Sequence, residues 1–489
     1  MKLLERIERS KDFWFLLITV FIFFLLRIPS LIEPYWYGDE GIYHVIGQAI
    51  NQDRVLYKDI WDNKPPLLYV LYGIFSSDQF AIRLASLFFG IFATLSFWAL
   101  AKKLFQLDKA VFFSTGLFAF LFAIPLLEGN IANAENFMLF PILLAGFFIY
   151  NNTLEAKKTS FSLQLFVAGL LLTIAFLFKI VAVFDLAAFS LFLIYTVKNK
   201  QALFTNTTKN IFYFFVAFAL PILATGLFFY AKGAFQPFID AALRQNIGYV
   251  GYGNTLLIPQ GFLLIKLFFL FFAAAFLYLK RNLFSSREQF IFLWFLFSLF
   301  NAFFSQRPYT HYLLVLLPSF CLMTGLLFIK EKTQVSKRTL AGILFITLYI
   351  LIANFSLYKK ILPYYQNYFL FVTNKRSVTD YQAFFDRQTP VDYAIVSFLK
   401  RHMKENDSLF IWGNNGQVYA MLNKLPPGRF IVAYHITNSP ATLEETRSAI
   451  EKAKPTFIIK AHDEPVPFHL ANYKERIMIY HAHIYERAL

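Results

Sequence analysis

Apolar runs recur along this chain at about 17–25 residues each, the length a helix needs to cross a bilayer core. Backbone inside lipid must satisfy its own hydrogen bonds, so such runs fold as helices. About eleven are counted, at 13–32, 81–101, 110–127, 136–151, 162–178, 180–197, 210–230, 260–279, 288–305, 311–329 and 339–358. The expected fold is mainly α: a polytopic helical membrane bundle with a small C-terminal α/β domain. The first run follows Lys2, Arg6, Arg9 and Lys11, is too long for a signal-peptide core, and reads as a retained signal anchor.

Charge orients the bundle. The chain carries a formal net charge of +16 yet is 57% hydrophobic and only 16% charged. Its cations gather in short loops between apolar runs, at Lys102, Lys103 and Lys109, at Lys157 and Lys158, at Lys198, Lys200 and Lys209, at Lys280, Arg281 and Arg287, and at Lys330, Lys332, Lys337 and Arg338. That is the positive-inside pattern, not a nucleic-acid surface. It places the N-terminus in the cytoplasm. An odd number of spans then places loop 33–80 and the tail outside, in a cytoplasmic (inner) membrane. A single cysteine, Cys321, sits in an apolar run, so one chain can form no disulfide framework.

Composition changes near Lys359. Residues 1–358 read as the membrane domain and 359–489 as an extracytoplasmic one. The tail alternates β-rich runs (Ser408–Trp412, Arg429–Val432, Thr456–Ile459) with helical patterns at 391–403 and 442–453. Strands alternating with helices point to a small α/β fold.

The polar residues that carry chemistry lie on the outer side of this topology. Asp39 and Glu40 follow the first run, where ionisable groups are costly and usually functional. They suit a helix N-terminus, and equally a general base. Tyr43 and Tyr57 flank them. Asp62 and Lys64 precede Pro65-Pro66, a helix start, where a lysine makes electrostatic sense if an anion is also held. Glu135, Arg307, His311 and Tyr312 share the same outer level. Each alone is an ordinary interfacial residue; together they all choose one side. Arg83, at the start of the second run, reads as a snorkelling cation.

Asp39-Glu40, the Tyr57…Asp62-Asn63-Lys64-Pro65-Pro66 stretch, Glu135-Asn136 and the Arg307…His311-Tyr312…Pro318 segment resemble the protein mannosyltransferase and aminoarabinose transferase superfamily, membrane glycosyltransferases of GT-C type. The resemblance covers residues 1–330. It implies an inverting transfer of a sugar from a polyprenyl-phosphate carrier to a hydroxyl of a protein, lipid or cell-envelope glycan. It implies Asp39 as the catalytic base, with Glu40 orienting it, and Lys64 and Arg307 as the cations on the donor phosphate. Tyr43, Tyr57, Asp62, Glu135, His311 and Tyr312 would line the substrate pocket. No cofactor or metal is called for, because cations can stabilise the leaving phosphate. Asn63 departs from the pattern, where relatives often carry His or Glu.

A polytopic transporter or flippase for a lipid-linked saccharide also fits many spans and interfacial charges. Transporters, however, place ionisable groups near the midplane and often repeat in two halves. Neither sign is present here. A third reading, a non-catalytic polymer-assembly subunit, would tolerate loss of Asp39.

Overall fold

A computed structural model describes residues 10–75, 78–154, 161–196, 206–246, 263–305, 307, 309–329, 334–461 and 465–488. Lys2, Arg6, Arg9, Lys157, Lys158, Lys198, Lys200, Lys330 and Lys332, used above to orient the spans, lie outside the described residues.

Each apolar run contains a helix. Among the described residues, five are long and apolar enough to cross a membrane: Lys11–Leu31, Gln79–Leu104, Ala134–Leu154, Thr208–Ala231 and Lys337–Asn354. Shorter apolar helices occupy Leu163–Phe178, Ile180–Thr196, Leu263–Leu279 and Leu317–Phe328, and further helices span Asp108–Ala123 and Ser286–Ala302. Length and composition therefore support five crossings of the eleven expected. The chain is a multi-pass membrane protein. Its helices are apolar on the outside too: Phe268, Phe269, Phe271 and Phe272 are 63–69% exposed. A helix hydrophobic all round suits a lipid environment.

The chain divides into two compact units, each discontinuous in sequence. The first holds Met1–Ile28, Ala85–Thr225 and Asn246–Ile361. Aromatic rings fill its core. Phe97 stacks on Phe118 with centroids 4.6 Å apart, and Phe189 on Phe290 at 5.4 Å. Gly90 sits where an added Cβ would lie 2.5 Å from the Phe23 ring, so the helices meet closely there.

The second unit holds Pro29–Leu84, Gly226–Gln245 and Leu362–Leu489. The break at Ile361/Leu362 lies near the compositional boundary expected at 358/359, but this unit also takes in 29–84 and 226–245. Its sheet has four strands, β1 (Leu409–Trp412), β2 (Phe457–Lys460), β3 (Tyr473–Ile479) and β4 (Ala482–Arg487), in the order β1-β2-β4-β3. The β1–β2 pair is parallel, and helices Gly416–Leu422 and Pro440–Ala453 lie in the crossover between them. The β2–β4 and β4–β3 pairs are antiparallel. The expected strand at Arg429–Val432 is instead a buried loop. Its Arg429 carbonyl accepts from the Trp61 N–H at 2.9 Å, and it runs into the short helix Ala433–Ile436. The polar hairpin β3–β4 was not expected, because Tyr473-Lys474-Glu475-Arg476 lacks an apolar face.

Candidate active site

The sequence-selected residues fall into two clusters, one in each unit. In the second unit, helix Gly38–Asn51 begins with Asp39 and Glu40 in its first turn, where carboxylates complement the helix dipole. Neighbouring positions on a helix diverge by about 100°, and the two carboxylates go separate ways. Asp39 is 37% exposed at its side chain; Tyr43, one turn on, donates to it at 3.0 Å, and Lys64 Nζ lies 3.8 Å away. Glu40 is fully buried and grips Arg83 through two contacts, 3.3 Å to Nε and 2.5 Å to Nη2. Arg83, also fully buried, reaches Glu33 at 3.5 Å and the Ser30 carbonyl at 2.9 Å. Glu40 is thus paired with Arg83 and not with the groups around Asp39, and Arg83 does not snorkel. Together they anchor the start of the helix.

Two glycines seat that helix. An added Cβ at Gly41 would lie 2.5 Å from the Gln417 backbone nitrogen, and one at Gly47 would lie 2.7 Å from that of Gly73. Helix Gly38–Asn51 therefore packs backbone-close against Gly416–Leu422 on one side and Pro66–Ile74 on the other.

The loop before Pro66–Ile74 holds Lys64 by its backbone. Tyr57 takes a positive φ of 69°, in a turn closed by its N–H to the Ile60 carbonyl at 2.7 Å. Its buried ring rests on Phe229 and Phe238, and its hydroxyl donates to the Lys64 carbonyl at 2.7 Å. The Lys64 N–H donates to the Tyr69 hydroxyl, which donates in turn to Asp62 at 2.7 Å. The ammonium of Lys64 lies 3.6 Å from Asp62 and 4.8 Å from the centre of the Tyr43 ring. Burial works to raise the Asp62 carboxyl. Lys64, His435, the Tyr69 hydroxyl and the Asn63 N–H outweigh that and hold it below the usual carboxylate range. Asp62 is thus an anion that positions Lys64. Asp39, more open to solvent, sits on the other side of the same ammonium.

In the first unit, the loop before helix Ala134–Leu154 is pinned from inside. Asn136 donates to the Gly129 and Ile131 carbonyls, both at 2.6 Å, and the buried Arg27 also donates to Gly129. Gly129 is required there, since a Cβ would strike the Phe122 carbonyl. This places Glu128 and Glu135 around His311, whose Nδ1 meets Glu128 at 2.9 Å and whose Nε2 lies 3.9 Å from Glu135. Lys179 closes an ion pair with Glu135 and lies 4.5 Å from the centre of the Tyr312 ring. Arg307 is half-buried in this unit, with Nη1 3.4 Å from the Tyr309 hydroxyl. Among the described residues, no set of three His, Cys, Asp or Glu is placed to hold a metal ion.

Several residues of these clusters were not selected from the sequence, among them Tyr69, Glu128, Lys179 and His435. Lys179 interrupts the apolar stretch 162–197. Counting sides from the N-terminus puts it outside with Glu135, so its partner was legible. His435, 3.7 Å from Asp62, comes from the tail and carries no local motif.

No family model matches the sequence, and no curated protein matches it. Comparison of folds is informative. The structure of ArnT from Cupriavidus metallidurans bound to undecaprenyl phosphate superposes with a TM-score of 0.60, at 13% identity, over 97% of this chain and 98% of that one. The chain has a GT-C-type fold. The archaeal oligosaccharyltransferase AglB from Archaeoglobus fulgidus, in complex with an inhibitory peptide and a dolichol-phosphate, matches more loosely, with a TM-score of 0.44 and 14% identity over 92% of this chain and 69% of that one. At that overlap nothing is inferred from it. In this chain, Asp39 and Lys64 sit on the segment that follows the first apolar helix.

Proposed function

We propose that this protein is an inverting glycosyltransferase that moves a sugar from a polyprenyl-phosphate donor to a hydroxyl acceptor on the outer face of the cytoplasmic membrane. The observation that carries the proposal is the pairing of a solvent-accessible carboxylate, Asp39, with a cation, Lys64, fixed by a buried counter-charge. The fold it shares with ArnT, which was captured with undecaprenyl phosphate, favours a lipid phosphate as the ligand of that cation.

The chemistry follows from these roles. The acceptor hydroxyl attacks the anomeric carbon, and its proton passes to Asp39. The bond from that carbon to the phosphate oxygen breaks, and the lipid monophosphate leaves as an anion. Lys64 stabilises that developing charge. Tyr43 keeps Asp39 oriented, and Asp62 keeps Lys64 in place. Tyr57 acts through the Lys64 backbone. Glu135, His311 and Tyr312, with Lys179, form a second polar cluster assigned to the substrates.

The test is chemical. Lipids and envelope glycans from a deletion strain are compared with the parent by mass spectrometry. The reading expects accumulation of one sugar-charged polyprenyl phosphate and loss of that sugar from one acceptor. The purified full-length protein should then convert that donor to free polyprenyl phosphate. An unchanged glycan profile, or a purified protein that moves the intact lipid across a vesicle without cleaving it, would contradict the reading.

A further inference from the structure

The second unit contains a cavity of about 270 Å³ separate from the Asp39 carboxylate. Its apolar lining includes Trp61 and Phe430, whose ring centres are 5.6 Å apart. Polar groups make up the smaller part of the lining and come from Gln236, Asp240, Gln245, Arg429, Asn438 and Thr442. The charges among these are already matched. Arg429 pairs with Glu445 at 2.7 Å and lies 4.9 Å from the centre of the Phe430 ring. Asp240 pairs with Arg244 at 2.7 Å and accepts from Gln236 at 3.1 Å. The Thr442 hydroxyl is held in the N-terminal capping box of helix Pro440–Ala453, donating to the Ile436 carbonyl at 2.8 Å. The cavity therefore offers aromatic surface and the amides of Gln245 and Asn438 with little net charge.

That chemistry suits one ligand class. A phosphate would want unmatched cations, and an alkyl chain would leave the amides without partners. A neutral sugar ring has apolar C–H faces for aromatic rings and hydroxyls for amide, carboxylate and guanidinium groups. The volume, about 270 Å³, lies just below the usual range of ligand pockets, about 300 Å³ upward, and suits a single ring.

The cavity also touches the reacting cluster. Trp61 is the residue before Asp62, and its ring centre lies 4.8 Å from that of His435. His435 lines the cavity, and its Nε2 is 3.7 Å from Asp62, the carboxylate that positions Lys64. Its buried Nδ1 has no hydrogen-bond partner. The tail domain thus forms one wall of the cavity and contacts the phosphate-positioning acid with the same residue.

We infer that this cavity binds a neutral sugar unit of the acceptor, which makes the acceptor a glycan. The inference rests on the glycosyltransferase reading for the word acceptor, though not for the binding itself. Full-length protein in detergent is examined by saturation-transfer NMR with the methyl glycosides of glucose, galactose and mannose and with N-acetylglucosamine. Inorganic phosphate is the contrasting probe. At least one sugar should bind without donor, and Asp39→Asn should bind it equally. Asn438→Ala and Gln245→Ala should each weaken binding about 3–10-fold, the worth of one neutral hydrogen bond, with an unchanged unfolding temperature. In transfer assays the same variants should raise the acceptor KM and leave donor saturation unchanged. Binding of no sugar, binding that these variants leave intact, or displacement of the sugar by phosphate overturns the inference. Sugar binding lost in both variants while no transfer to any glycan occurs would keep the cavity and remove the glycosyltransferase reading.

Discussion

Replacing Glu40 with Gln keeps the side chain's shape and removes its charge. Both Glu40 and Arg83 are completely buried, and they meet at 2.5 Å. Removing one partner of a buried pair leaves the other uncompensated, at a typical cost of about 3–5 kcal/mol. Glu33, 3.5 Å from Arg83 and also fully buried at its side chain, remains to offset part of that charge. The loss should therefore fall near the lower end, about 3 kcal/mol. For a unit of this size class that corresponds to a fall of about 6–12 °C in unfolding temperature. Asp39→Asn is the internal control. Its carboxylate is 37% exposed and its ion pair with Lys64 spans 3.8 Å, and such exposed pairs contribute about 0–1 kcal/mol. The assay is intrinsic fluorescence during a thermal ramp on detergent-solubilised protein, with size-exclusion profiles as a check on assembly. Glu40→Gln should be the unstable variant and Asp39→Asn the stable one. Equal unfolding temperatures for Glu40→Gln and the parent, or greater instability in Asp39→Asn, would refute the division of labour between these neighbours.

Other substitutions probe the remaining parts. Lys64→Ala should raise the donor concentration needed for half-saturation by about 10–100-fold, the worth of a hydrogen bond to a charged group, with little change in acceptor KM; titration of labelled donor measures it. Lys179→Met should strand the buried Glu135 and lower the unfolding temperature, and adding Glu135→Gln should restore most of the loss. Gly41→Ala should force helices Gly38–Asn51 and Gly416–Leu422 apart, since the Gln417 backbone cannot yield 2.5 Å of contact cheaply; reduced stability and faster proteolysis of the tail are the readouts. Burial, the larger influence, together with Lys64 lowers His435 to about 4 against the opposing pull of Asp62 and Asp39. The unfolded chain protonates this imidazole near 6.5, so the unfolded state binds more protons between those values and stability should fall as pH drops from about 6.5 to 4. The stability difference between the parent and His435→Asn, measured across that window, isolates the contribution; a pH-independent difference would contradict it.

The helical segments were the most legible part of the sequence, because spanning length and apolar composition are properties of single runs. The number of crossings was less so. Lys179 splits one long stretch, and near residue 310 the chain turns tightly, so several helices end short of a full span. Asp39, Lys64 and their tyrosines could be selected because they crowd into one segment after the first apolar run. What the loop does with Asp62 and Glu40 needed three dimensions, since adjacent residues on a helix point to different environments. Arg83 was misread because a cation at a span end usually reaches water, whereas here Glu40 and Glu33 meet it inside. His435 was invisible because it lies far along the chain from Asp62 and acquires its place only when the Arg429–Val432 segment folds as a loop. The β3–β4 hairpin escaped because β3 opens on a charged stretch, Lys474-Glu475-Arg476, and β4 offers only Ala482 and Ile484 to the buried face, too short an apolar pattern to read as a strand.

The central claim is that Asp39 takes the acceptor proton. Purified full-length parent and Asp39→Asn proteins in lipid nanodiscs are mixed with the labelled polyprenyl-phosphate sugar identified from the deletion strain, then with acceptor, and single-turnover transfer is followed by quench. The account predicts unchanged donor binding and unfolding temperature for Asp39→Asn, with transfer slowed by about 10²–10⁴-fold, the usual contribution of a general base. Near-normal transfer by Asp39→Asn at saturating donor and acceptor would contradict it and place the base elsewhere.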